Sequence, residues 1–336
     1  MKNPCNITKE RDHSLDMAKG FLMAFLIVHH LYDTGRSAGI DNPVLDAIRV
    51  VQPSLFVCYF MPTFFLITGM CSNFDKKIKD FFVNQFKTLL MPAFVFILLF
   101  HFFMGEPIKT CFGHIMRLFR DGKDYWFLLA LFEAKLFYFF INKYIDRDYL
   151  KLALLLVLSL VGTTLNDLDS FHNYLVHRHF LDLTLFLGIG HILKKNLRSR
   201  KFFFVSLSIY IPIVVVFFLI GAKIPYVTYG FGTTLYLWPV HVMLSITGSI
   251  ILLCLCQKIR VDYLIEYMGK NSLCIFLMQW YTLEMFMDNF ADSLNHNTLQ
   301  NMIFLYIVIF ISTISIGLFV AYITNNTKLR VIMGKF

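Results

Sequence analysis

Ten apolar runs dominate this chain and leave few folds open to it. They lie at about 17–33, 53–71, 86–104, 125–142, 149–165, 180–194, 202–220, 229–256, 272–290 and 302–324. A helix needs about 20 apolar residues to cross about 30 Å of hydrocarbon. Most of the runs meet that length; the sixth is short, and the eighth is long and contains Pro239, where a kink is expected. Of 336 residues, 57% are hydrophobic and 16% charged, and 38 are phenylalanine. Soluble domains run nearer about 45–50% apolar and about 25% charged, and a soluble core cannot hide this much aromatic surface. The expected fold is therefore an all-α polytopic membrane bundle of about ten helices. With no internal repeat, low-complexity tract or soluble segment in view, residues 1–336 read as one domain.

The net charge of +9 does not imply a nucleic acid partner, because the basic residues fall between apolar runs and form no continuous patch. Lipid headgroups and topology explain them more economically. With the N-terminus inside, 22 of the 31 lysines and arginines fall on the inner side, eight fall outside, and Lys135 lies within a helix. That bias and an even helix number predict two cytoplasmic termini. The polar first 15 residues do not resemble a cleavable leader. The seven cysteines include no CxxC pair and lie mostly in apolar segments, where they read as buried, inert thiols. No metal site is expected.

The first run carries groups that a membrane helix accepts only at a cost. Lys19 and His30 are eleven residues apart, three helical turns with about 20° of drift, so they share one face across about 16 Å of rise. Asp16, one turn before Lys19, can pair with the ammonium. His29 is turned about 100° away. Lys19 by itself also reads as a residue snorkelling to the headgroups. His30 sits deep in the span, where ionisable groups face pathways or sites, and a neutral buried imidazole is a competent general base.

This helix resembles the first helix of the acyltransferase-3 membrane proteins, whose hallmark is Arg or Lys, ten residues, then His: here Lys19-x10-His30, with Leu15-Asp16 before and Gly20 after. Three further stretches follow in the family's order. Met61-Pro-Thr-Phe-Phe-Leu-Ile-Thr-Gly69 is similar to its Pro-x-Phe-Phe-x-x-Ser-Gly segment, and Tyr125-Trp-Phe-Leu-Leu-Ala-Leu-Phe132 to its Trp-Phe-Leu helix. Met268-Gly-Lys-Asn-Ser-Leu-Cys-Ile-Phe-Leu-Met-Gln279 is similar to its Gly-x-Asn-Ser-x-x-x-Tyr-Leu-x-His element. The nearest flavour is the branch of fucose and other sugar O-acetylases. The chain departs from the pattern at Thr68 (usually serine), Phe60 (often histidine), His29 (often glycine) and Gln279 (commonly histidine).

The resemblance implies transfer of an acyl group, commonly acetyl from cytoplasmic acetyl-CoA, to a hydroxyl of a cell-surface glycan or lipid-linked sugar. It places the protein in a bacterial inner membrane. Lys19, helped by Arg11, would attract the coenzyme A phosphates; Asp16 would hold Lys19; His30 would act as base or carry the acyl group itself. Trp126 and Glu133 share a face seven residues apart and form a secondary candidate, with Thr68, Asn271 and Ser272. Asn271 and Ser272 also read as an N-terminal helix cap. His101, Asp182, His191 and His241 read as structural hydrogen-bonding groups. The sequence leaves oligomeric state open. It also admits a glycan or metabolite transporter or flippase, although no matching pair of broken helices supports one, and a non-catalytic scaffold, which would not need Lys19 and His30 on one face.

Overall fold

Backbone polar groups in lipid must be satisfied within their own segment, so a chain of apolar runs has helices as its open solution. A computed structural model describes residues 12–52, 56–103, 110–113, 115–116, 125–167, 179–194, 196–226, 234–259, 262–296 and 298–334. The elements named below are all helical. They are α1 (His13–Ser37), α2 (Pro43–Gln52), α3 (Cys58–Cys71), α4 (Ile78–Gln85), α5 (Met91–Phe103), α6 (Trp126–Tyr144), α7 (Asp148–Asp167) and α8 (His179–Leu193). They continue with α9 (Arg200–Leu219), α10 (Trp238–Lys258), α11 (Tyr263–Lys270), α12 (Ser272–His296) and α13 (Leu299–Asn326).

Where described, each of the ten apolar runs is helical apart from a residue at its edge such as Tyr125, Lys194, Ile220 or Thr234. Among the described residues, six helical stretches are long and apolar enough to cross a membrane: His13–Ser37, Ile78–Phe103, Asp148–Leu165, Arg200–Leu219, Leu235–Lys258 and Leu299–Asn326. The apolar helices α3 and α8 are shorter. Large apolar side chains point outward on the peripheral helices, among them Phe102 and Phe103 on α5, Phe218 and Leu219 on α9, and Phe304 and Phe319 on α13. Water would not tolerate that surface; lipid does.

The short eighth helix is among the most enclosed. It packs on α3, α6 and α7, and ten of its fifteen residues are buried, Asp182 through Gly190 without interruption. Its crossing with α3 is a backbone contact: a Cβ at Gly69 would collide with the Leu187 carbonyl, and one at Gly190 with the Leu66 carbonyl. Small residues permit such close approach between membrane helices. The same device joins α1 to α11 through Gly20 and Gly269, which abut the carbonyls of Ile265 and Asp16.

Prolines shape three places. Pro62 lies inside α3 and cannot donate to the carbonyl four residues back, that of Cys58. Ser245 Oγ on α10 donates to that carbonyl instead, at 2.9 Å. Before Pro92, residues Phe86–Leu90 widen into a π-turn whose Met91 N–H bonds to the Phe86 carbonyl, a local adjustment that accommodates the missing donor. Pro239 does not kink a long eighth span as expected. It stands at the first turn of α10, after a 3-10 turn at Leu235–Leu237, where its absent N–H has no helical partner to lose.

Candidate functional site

The central element is α1. Asp12 caps it, accepting from Ser14 N, and Arg198 Nη1 ties that carboxylate at 2.5 Å. Burial raises the Asp12 pKa, but hydrogen bonds from Ser14 and Arg198 outweigh it and hold the carboxyl below its usual range. Glu266 on α11 pairs with His13 at 2.6 Å and with Lys270. This end of the bundle is thus held by paired charges and contains Lys19. Arg11 lies outside the described residues.

Lys19 Nζ donates to Asp16 Oδ1 at 3.1 Å; the Asp16 side chain is 4% exposed and that of Lys19 26%. Asp16 is held in place because Gly269 lets the α11 backbone close on its carbonyl. The ammonium faces a cavity of about 180 Å³. From α1 the cavity takes Lys19, Met23 and Leu26, spaced four and three residues apart on one helical face. The next position on that face, four residues after Leu26, is His30. Opposite, α12 contributes Ser272, Leu273 and Phe276, and one turn beyond Phe276 stands Trp280. His30 stacks on Trp280 with ring centroids 4.3 Å apart. Two stripes, one on α1 and one on α12, therefore flank the cavity and meet one turn beyond its lining, at His30 and Trp280, neither of which lines it.

The other walls come from α3 (Met61, Phe64, Ile67, Thr68), Leu89 of the π-turn, and Phe127, Leu128 and Leu131 of α6. Thr68 and Ser272, with Lys19, are the polar side chains of an otherwise apolar lining. Tyr125 donates its hydroxyl to the Leu277 carbonyl at 3.0 Å, tying α6 to α12 around the cavity.

The structure separates the remaining candidates from this lining. Trp126 meets His179 edge-on at 5.9 Å, and Glu133 is half-buried two turns further on; neither lines the cavity. One and two residues past Trp126, about 100° and 200° around the helix, Phe127 and Leu128 take that role. Asn271 does not cap α12 with its side chain. Its Nδ2 donates to the Tyr267 carbonyl at 2.9 Å and its Oδ1 accepts from Asn325 Nδ2 at 2.8 Å. The backbone supplies the start of α12 instead, the Asn271 carbonyl accepting from Cys274 and Ile275 N–H. The end of α11 and its neighbour α13 compete for the amide, and they hold it.

Around His30 lies a group of buried polar atoms. His30 is 8% exposed, Thr34 8% and Gln279 0%. His30 Nδ1, Thr34 Oγ1, Trp280 Nε1 and both amide atoms of Gln279 complete no hydrogen bond. Gln279 lies against His30, within interacting distance but short of good hydrogen-bond geometry. His29 turns away to Asp33, Nε2 to Oδ2 at 3.3 Å. The sequence reading passed over Trp280, although its eight-residue spacing from Ser272 places both on one side of a helix.

A second polar centre joins two residues set aside as structural. His241 Nε2 lies 3.2 Å from Asp182 Oδ2, both nearly without exposure. Ser159 donates to Asp182 Oδ1 at 2.5 Å, and Trp238 Nε1 donates to Ser159 at 2.9 Å. This network locks α7, α8 and α10 together. His191 likewise pairs with the Tyr138 hydroxyl at 3.0 Å. Among the described residues no group of three or more His, Cys, Asp or Glu side chains is arranged to hold a metal.

Compared with known proteins, residues 12–322 match a family model described as an acyltransferase domain. Neither a curated protein nor a solved structure matches the chain. The family match covers both stripes, the cavity and the polar group around His30, and it does not favour a transporter. The chain belongs to acyltransferase family 3 and is a multi-pass membrane acyltransferase.

Proposed function

We propose that the protein moves an acetyl group from cytoplasmic acetyl-CoA to a hydroxyl of a cell-surface glycan or its lipid-linked precursor, in the manner of the sugar O-acetylase branch. One observation carries this reading: the cavity starts at Lys19 and follows the α1 face that leads to His30. A slender pantetheine arm suits a small, apolar-walled space, while the nucleotide phosphates remain at the Lys19 end, where cations attract them. Ten membrane helices and two cytoplasmic termini suit this polarity, with acetyl-CoA arriving on the Lys19 side of a bacterial inner membrane.

In the reaction, neutral His30 takes the proton of the acceptor hydroxyl as its oxygen bonds to the thioester carbonyl carbon. The carbon–sulfur bond then breaks, and the imidazolium returns the proton to the departing thiolate. The products are the ester and free coenzyme A thiol. Direct base catalysis requires only one acyl transfer, and we prefer it to an acyl-histidine. Thr68 and Ser272 hydroxyls give the arm polar contacts along an otherwise apolar path.

The test is His30→Ala, checked for membrane insertion, with the O-acetyl content of surface glycans compared with wild type and a deletion strain. The reading expects the variant to match the deletion. Full acetylation by the variant removes His30 from the chemistry.

A further inference from the structure

A base needs a third group to hold its ring in one tautomer and one direction. No carboxylate contact to His30 is seen among the described residues; the nearby acid, Asp33, is engaged by His29. Gln279, one residue before the Trp280 that stacks on His30, is fully buried. A buried carboxamide left unpaired costs stability, and membrane cores give it no water to turn to. Its Oε1 and the His30 Nδ1 are both buried atoms lacking a partner, on side chains that touch. Catalytic hydrogen bonds are commonly long before substrate binds and tighten in the complex.

We infer that Gln279 is the positioning residue of His30: its Oε1 accepts from His30 Nδ1–H, so that Nε2 keeps the lone pair that receives the acceptor's proton. Trp280 fixes the plane of the imidazole and Gln279 fixes its rotation and tautomer. A neutral amide suits the site because it orients the ring without burying a charge beside it.

The inference rests on His30 being the base, so three variants are measured together. Membrane vesicles from the producing cells, which carry the native acceptor, receive labelled acetyl-CoA, and label entering the glycan fraction is followed. His30→Ala tests the underlying reading. Gln279→Leu keeps bulk but removes the acceptor oxygen; Gln279→Glu restores that oxygen at the cost of burying a charge. A positioning role predicts that Gln279→Leu lowers kcat by about 10²-fold, the lower end of what a general base contributes, with the KM for acetyl-CoA unchanged. Gln279→Glu then outperforms Gln279→Leu by about tenfold, because its carboxylate accepts the same hydrogen bond. A packing role predicts the reverse order, since leucine suits an apolar bundle better than glutamate. Gln279→Leu as active as wild type, or more active than Gln279→Glu, overturns the inference while leaving an inactive His30→Ala intact. An active His30→Ala overturns both. If Gln279→Leu does not insert, Gln279→Met takes its place with the same expectations.

Discussion

Replacing Lys19 with methionine removes an ammonium that has two jobs, and the structure separates them. Lys19 Nζ pairs at 3.1 Å with an Asp16 carboxylate that is 4% exposed. Stripping one partner from a buried ion pair costs about 3–5 kcal/mol when the survivor is fully enclosed. Lys19 is still a quarter open to its surroundings and Asp16 has further interactions, so we expect about 1–3 kcal/mol, the usual penalty for an unsatisfied buried group. The second job is donor binding. A hydrogen bond to a charged phosphate contributes about 1.5–3 kcal/mol, which corresponds to a KM for acetyl-CoA roughly 10- to 150-fold higher. The double variant Asp16→Asn, Lys19→Met removes the stranded carboxylate. It should regain most of the lost thermal stability in detergent while its KM stays as high as that of the single variant. Steady-state kinetics in vesicles and a thermal melt of each protein complete the cycle. A double variant that recovers both stability and KM would refute the reasoning, because Lys19 would then act only by holding α1 together.

Three further outcomes follow from the helix packing. Ser245→Ala leaves the Cys58 carbonyl that Pro62 has freed without its 2.9 Å donor, and should lower unfolding stability by about 1–3 kcal/mol, whereas Ser245→Thr restores most of it. Gly69→Leu places a side chain against the Leu187 backbone and should sharply reduce the yield of folded protein, while the same change at Gly113, which has open space around it, is tolerated. Asp12 has a folded-state pKa below its usual value of 3.8. Its pairing with Arg198 therefore stabilises the protein above about pH 4 and is lost as pH falls through the lower, folded-state value. Asp12→Asn should show a smaller stability loss than wild type across that acid window in pH-resolved thermal melts.

Much of this architecture is readable from the residues. Runs of apolar side chains that must satisfy their backbone in lipid leave helices as the solution, and the described parts of all ten runs are helical but for edge residues. The eleven-residue spacing of Lys19 and His30 places both on one face, because helical period alone decides it. Contacts between helices are different. Hydropathy is nearly uniform around such helices, so it does not reveal that Ser272, Phe276 and Trp280 face the α1 stripe, or that Asp182 and His241 meet across two helices. Pro239 and Asn271 show the same gap locally. Pro239 fits a helix start as well as a kink, and Asn271 has three helices competing for its amide. Gln279 stands out in the sequence only as a departure from the family's histidine; its burial beside His30 makes it a candidate.

The most direct measurement uses purified protein in vesicles, supplied with acetyl-labelled acetyl-CoA on one side and an extract of the cell's own lipid-linked glycans in the membrane. Wild type and a folded His30→Ala are compared for label recovered as glycan ester. The account predicts labelled ester with wild type and background with His30→Ala. Equal labelling by the two proteins, or none from acetyl-CoA with wild type, would contradict it.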